Sequence, residues 1–188
     1  MKIYFVVISM KEVYIILSHS GTIISKIIKI YTRARYSHVS LGFDPELNEF
    51  FSFGRKHITT PLRGGFIIEG KNRGLFQKFK KAKCKIYKVI LTDNQFEIMR
   101  SYINEFLKAQ HKYKYNYLGI FTTMFGLKLN RPYYYFCSQF VAEVLYKSKV
   151  WNFNKDFSLI RPKDFEQIKN ATLIFEGRVC DYSIFNTF

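Results

Sequence analysis

Apolar and polar positions along this chain switch between two periods, and the switches mark its elements. Residues 3–9 and 12–18 are continuous, β-branched apolar runs parted by Met10 and Lys11, the pattern of buried strands or the two arms of a hairpin. A turn cluster at Ser18–Thr22 follows, and then Ile23, Ile24, Ile27, Ile28 and Tyr31 recur at helical spacing, which predicts a short helix with Ser20 or Thr22 near its cap. From Tyr36 to Phe43 the period drops to two. Val39, Leu41 and Phe43 alternate with His38, Ser40 and Gly42, giving a strand with one apolar face and a histidine among small residues on the other. The turn Asp44-Pro45-Glu46-Leu47-Asn48 should send the chain back as the antiparallel strand Phe50–Gly54.

The Gly-rich stretch from His57 to Gly74 reads as loops around a short strand at Phe66-Ile67-Ile68, and Ile86–Leu91 as a further strand. Thr92-Asp93-Asn94 caps a helix over 94–109, whose buried face is Phe96, Met99, Ile103, Phe106 and Leu107. A second short helix begins near Leu118 and ends near Gly126. Cys137, Phe140, Val141, Val144 and Leu145 share one face of an amphipathic helix that the cysteine opens. Arg161-Pro162-Lys163-Asp164-Phe165 starts another short helix with proline in its first turn, and strands at 172–176 and 178–184 close the sheet. The sum is an α+β fold, an antiparallel sheet packed against a few helices, in one domain spanning 1–188.

Composition narrows the class. Hydrophobic residues at 48% and aromatics at 19% of 188 residues argue for a packed core and against disorder. No apolar run reaches transmembrane length, and the signal-like start Met1–Met10 is interrupted by Lys11 and Glu12, so it reads as a strand. The expected location is cytoplasmic, at most peripheral to a membrane. Thirty Lys and Arg against 14 Asp and Glu leave a net charge of +16, which selects anionic partners without naming one. The run Lys71–Lys88 concentrates that charge, with Phe76, Phe79 and Tyr87 between the cations. It could rest on anionic lipid or polymer, or track a nucleic acid, the last being the weaker fit; a solvated loop leading into the next strand is the plain alternative.

Three cysteines, Cys84, Cys137 and Cys180, make neither a disulfide framework nor a metal-binding spacing. Cys137 stands apart because the N-terminus of a helix offers unpaired N–H groups and the positive end of the dipole, which favour a thiolate. Cys84 lies among lysines that could raise its reactivity, and Cys180 reads as a packed strand residue. A thiol nucleophile needs a base. His38 is the first candidate, and His19, at the strand-to-helix turn, is its rival.

The strings "YSHVSLGFD", "EFFSFGRK" and "FCSQFVAEVLYKSKV", in that order, resemble the histidine strand, following strand and cysteine helix of the circularly permuted papain-like hydrolases of the NlpC superfamily, in particular the YiiX-like branch. The resemblance implies a permuted papain-like fold. It also implies acyl transfer from an amide, ester or thioester through a Cys137 acyl-enzyme with His38 as base, needing no metal or cofactor. In that family a polar residue on the adjacent strand orients the imidazole; Ser52 is the closer positional match and Glu49 lies one residue out of phase. Family position also puts Tyr115 at the oxyanion or substrate wall, and the backbone N–H of Cys137 or Ser138 at the oxyanion. Family substrates are peptides or lipid acyl groups. The competing expectations are a degenerate member that binds peptide or lipid without turnover and a basic nucleic-acid-binding module in which the Cys and His are incidental.

Overall fold

The computed structural model describes residues 10–19, 35–56, 63–79 and 81–187. The expected strand at 3–9 and helix at 23–31 lie outside the described residues. Six strands form one antiparallel sheet: β1 (Met10–His19), β2 (His38–Gly42), β3 (Phe50–Arg55), β4 (Gly64–Glu69), β5 (Lys83–Thr92) and, after two further short strands, β8 (Ala171–Arg178). Their order across the sheet is β4-β3-β2-β1-β5-β8. The turn at 44–48 makes the β2–β3 hairpin as its sequence requires: the Asp44 carboxylate accepts from the backbone N–H groups of Glu46 and Asn48, an Asx-type closure.

Among the described residues four helices accompany the sheet: α1 (Leu75–Lys78), α2 (Asp93–Lys108), α3 (Tyr117–Met124) and α4 (Cys137–Lys147). Thr92 and Gln95 close a capping box at the start of α2, which fixes the helix at the residue where β5 ends. Helices α2 and α4 pack on one face of the sheet. Val13, Ile15, Leu17, Val39, Leu41, Phe53 and Phe66 there meet Met99, Ile103, Phe106, Phe140 and Val144 in the larger of two buried clusters. Four of its rings interlock: Phe140 lies 5.3 Å from Phe53, 5.5 Å from Phe66 and 5.0 Å from Phe106, centroid to centroid. Phe140 is one turn beyond Cys137, so this cluster sets the first turn of α4 against β3 and β4.

The opposite face carries a second cluster built from Tyr14, Ile16, Phe50, Phe76, Cys84, Ile86 and Phe175. Two sequence expectations are corrected on this side. The strand expected at 178–184 is absent; β8 ends at Arg178 and two 3-10 turns follow, Val179–Asp181 and Ile184–Asn186. Val179 and Tyr182 are buried at a spacing of three, which suits a 3-10 turn and not a strand. The residues of 71–88 are also more structured than a loop: they hold α1 and the first half of β5, with Phe76 and Tyr87 buried in opposite clusters. Four of its cations face carboxylates, Lys71 to Glu46, Arg73 to Glu49, Lys85 to Glu166 and Glu176, and Lys88 to Glu12.

A two-stranded parallel ribbon completes the architecture. In it β6 (Lys114–Tyr115) pairs with β7 (Tyr134–Tyr135), so the chain entering α3 is clasped to the chain entering α4. No helix among the described residues is long and apolar enough to cross a membrane.

Candidate active site

Helix α4 begins without a side-chain cap: Phe136 occupies the cap position in extended conformation and makes no capping bond. The first-turn N–H groups at Cys137, Ser138 and Gln139 therefore lack helical partners, and the first ladder bond is Phe140 N–H to the Phe136 carbonyl at 3.1 Å. Cys137 sits at this uncapped start. The His38 ring and the Tyr115 phenol lie beside its thiol, each close enough to interact with it electrostatically.

His38 is the first residue of β2, opposite Ser18 of β1. The pairing of Gly42 with Phe50 and of Phe50 with Glu69 puts His38, Ser40 and Glu69 on one face of three successive strands. On that face Nε2 of His38 lies 2.8 Å from Oε2 of Glu69, and the Ser40 hydroxyl donates to the same oxygen at 3.0 Å. With Nε2 turned to the carboxylate, Nδ1 is the ring nitrogen left for the Cys137 thiol. Gly54 leaves room for Ile67: a Cβ there would stand 2.5 Å from its Cδ1, and only in ordinary contact, at 3.7 Å, with Cε1 of His38.

The electrostatics follow from this placement. Burial by itself would lower the pKa of His38. The Glu69 carboxylate opposes it, joined by the neighbouring Cys137 and by the hydrogen bond to Glu69, and the balance raises the imidazole from 6.5 to about 10. The imidazolium is then the resting form at neutral pH, and a cation beside a thiol favours the nucleophilic thiolate. Tyr115 moves upward as well, well above the ordinary phenol range, first through burial and then through negative charge at Cys137 and Tyr117. It remains an O–H donor beside the sulfur.

Beside the thiol lies a small cleft of about 40 Å³ lined by Ile120, Thr123 and Met124 of α3, Phe136, Ser138 and the segment Ile160–Pro162, with Ser37 and Tyr115. Three bonds hold its walls together. Ser138 donates to the Ile160 carbonyl at 2.6 Å, Thr123 to the Ser158 carbonyl at 2.6 Å, and Arg161 to the Thr123 carbonyl at 3.1 Å. The Ser138 hydroxyl is thereby committed to the wall, which leaves its backbone N–H as the group able to face an oxyanion.

The expected orienting residue is corrected. Ser52 is fully buried and its hydroxyl donates to the Val39 carbonyl at 2.7 Å, stapling the β2–β3 hairpin; it is not the partner of His38. Glu49 is half exposed and faces Arg73 at 3.7 Å. Glu69, which the sequence reading passed over with Ser40, occupies that position from β4. No local pattern marks it: the register sets Glu69 across Phe50 from Gly42, four residues along β2 from His38, and only its side-chain contacts with His38 and Ser40 identify it. His19 faces the Ser37 hydroxyl at 3.2 Å, and the ring brought to Cys137 is that of His38.

All three cysteines are free thiols. Cys84 is wholly buried in β5, where burial pushes its thiol up to about 12, so its lysine neighbours do not activate it. Cys180 is not a packed strand residue: it is exposed in the 3-10 turn after β8, where its thiol donates to Asp181 at 3.4 Å. Among the described residues no group of three or more His, Cys, Asp or Glu side chains is placed to hold a metal ion.

Comparison with known proteins returns no matching family model, no matching curated protein and no matching solved structure.

Proposed function

We propose that this chain is a thiol acyl-transfer enzyme, a hydrolase or acyltransferase acting on an amide, ester or thioester, built on a permuted papain-like arrangement. The observation that carries the reading is one imidazole set between a buried carboxylate at 2.8 Å and the thiol of an uncapped helix start, at the wall of a cleft. Order along the chain supports the permuted arrangement: base strand, carboxylate strand, then nucleophile helix.

In the proposed mechanism the Cys137 thiolate attacks the substrate carbonyl and His38, as imidazolium, holds the proton. The tetrahedral oxyanion is met by the unpaired N–H groups of Cys137 and Ser138 and by the Tyr115 hydroxyl. His38 gives its proton to the leaving amine, alcohol or thiol. The neutral imidazole then draws a proton from water, or from an acceptor alcohol or amine, which attacks the Cys137 acyl group and restores the thiolate–imidazolium pair. Glu69 touches no reacting atom; it fixes the ring and its tautomer through Nε2, with Ser40 holding the carboxylate in turn.

The test is site-resolved alkylation by iodoacetamide at neutral pH, in a Cys180→Ser background that removes the exposed thiol. Cys137 is expected to react fast and Cys84 not at all, and His38→Ala should slow Cys137 by about 10²-fold. A Cys137 that reacts at the same rate with and without His38 would falsify the dyad. Turnover is then sought on activated acyl esters and on peptide amides.

A further inference from the structure

Helix α3 and the turn after it carry apolar side chains in two settings, one lining the cleft and one exposed. Ile120, Thr123 and Met124 line the cleft beside Cys137. Leu118, Phe121, Phe125 and Leu127 are 54%, 57%, 60% and 59% exposed. Phe121 and Phe125 touch ring to ring at 5.1 Å and Leu118 lies one helical turn before Phe121, so the exposed apolar side chains are grouped along the helix and the turn after it. Burying them would release far more free energy than leaving them wet, so the patch calls for a partner.

Charge around the patch selects the partner. From Ala109 to Ala142 the chain has no Asp or Glu, and it carries Lys112, Lys114, Lys128 and Arg131. Lys112, Lys114 and Lys128 are exposed; Lys128 reaches Asp156 only at 4.0 Å, and Lys114 and Arg131 lie over the Tyr134 ring, where they keep their charge. A second copy pairing through the same segment would set these cations against their own kind, the segment itself supplying no carboxylate. An anionic surface that also accepts aromatic and aliphatic side chains satisfies both halves of the pattern.

We propose that the 117–131 region docks this protein on an anionic phospholipid bilayer, with Leu118, Phe121, Phe125 and Leu127 in the acyl boundary and the flanking cations at the headgroups. This differs from an electrostatic contact through Lys71–Lys88, where four of the cations already face carboxylates and Phe76 and Tyr87 are buried. Docking here sets the cleft-lining residues of the same helix, and so the cleft at Cys137, beside the lipid surface. It does not depend on the thiol chemistry, so a Cys137→Ala protein binds as the wild type does.

The experiment is co-sedimentation of full-length Cys137→Ala protein with large vesicles of phosphatidylcholine, with and without phosphatidylserine. Three variant pairs are compared: Phe121→Ser/Phe125→Ser, Lys112→Glu/Lys128→Glu, and the control Lys78→Glu/Lys81→Glu, which makes the same change in net charge on exposed residues of the other basic run. The wild-type surface is expected to prefer phosphatidylserine vesicles. The aromatic pair should lose about tenfold or more of the partitioning with an unchanged melting temperature, and the Lys112/Lys128 pair should lose more than the control. Four results would each overturn the proposal: no vesicle binding, wild-type binding by the aromatic variant, equal losses in the two lysine pairs, or a concentration-dependent self-association that the aromatic variant abolishes.

Discussion

Cys84 and Cys137 are enclosed to almost the same degree, 0% and 4% exposed, yet their surroundings have little in common. Cys84 is the second residue of β5, its backbone paired on both sides by β1 and β8, among Ile86, Ile174 and Phe175. Nothing there stabilises a negative sulfur, and burial together with the negative charge of Cys180 and Glu176 drives its thiol up to about 12. Cys137 stands where a helix begins with its N–H groups unpaired, in contact with a ring that Glu69 keeps cationic. Burial alone does not decide whether a thiol is inert; the dipoles and charges admitted along with it do.

The largest effect that tests this contrast is removal of each sulfur. Cys137→Ala should abolish acyl transfer, by about 10³-fold or more, whereas Cys84→Ala should leave the rate within about twofold and cost stability instead, about 1–2 kcal/mol by thermal or urea melting. Next comes the carboxylate. Glu69→Gln should lower kcat/KM by about tenfold or more while leaving Cys137 in place, since the amide keeps the contact but not the charge.

The same variant changes the pH dependence of stability. Because folding raises His38 from 6.5 to about 10, its contribution is complete below pH 6.5 and is lost as pH rises through 10. Urea melts of the wild type should therefore weaken between those limits, by about 1–3 kcal/mol, and Glu69→Gln should flatten the slope. A wild-type profile already flat across that window would remove the cationic His38 from the account. The smallest effect expected is from Ser52→Ala, which should cost about 1 kcal/mol of stability through its lost bond to Val39, with the His38 titration, followed by NMR, unmoved.

How much of this could be read from the residues alone varied with distance along the chain. The hairpin 38–55, the capped helix after Thr92 and the cysteine-led helix were legible because each is specified by neighbours within a few positions: an Asx turn, a capping box, a helical stripe. Glu69 was not, because its role depends on a register carried across β3 to β2, and Ser52 matched the same face at shorter range. Ser52 is used by its own hairpin, a choice between two acceptors that no local pattern encodes. The end of the chain misled for a different reason. Val179 and Tyr182 are apolar and closely spaced, which suits either a strand or a 3-10 turn, and the spacing of three decides only once the core they enter is known.

The parallel ribbon of β6 and β7 has a consequence for the protein's history. Lys114 N–H bonds to the Tyr133 carbonyl at 2.9 Å and Asn116 N–H to the Tyr135 carbonyl at 2.8 Å, so the excursion from 116 to 133 leaves and re-enters the body at adjacent points. Tyr115 and Cys137 lie just outside that neck. Residues can be gained, lost or exchanged at the turn around Gly126, where φ is +71, without moving either. The surface that meets the outside world can diversify between lineages while the chemistry behind it stays fixed.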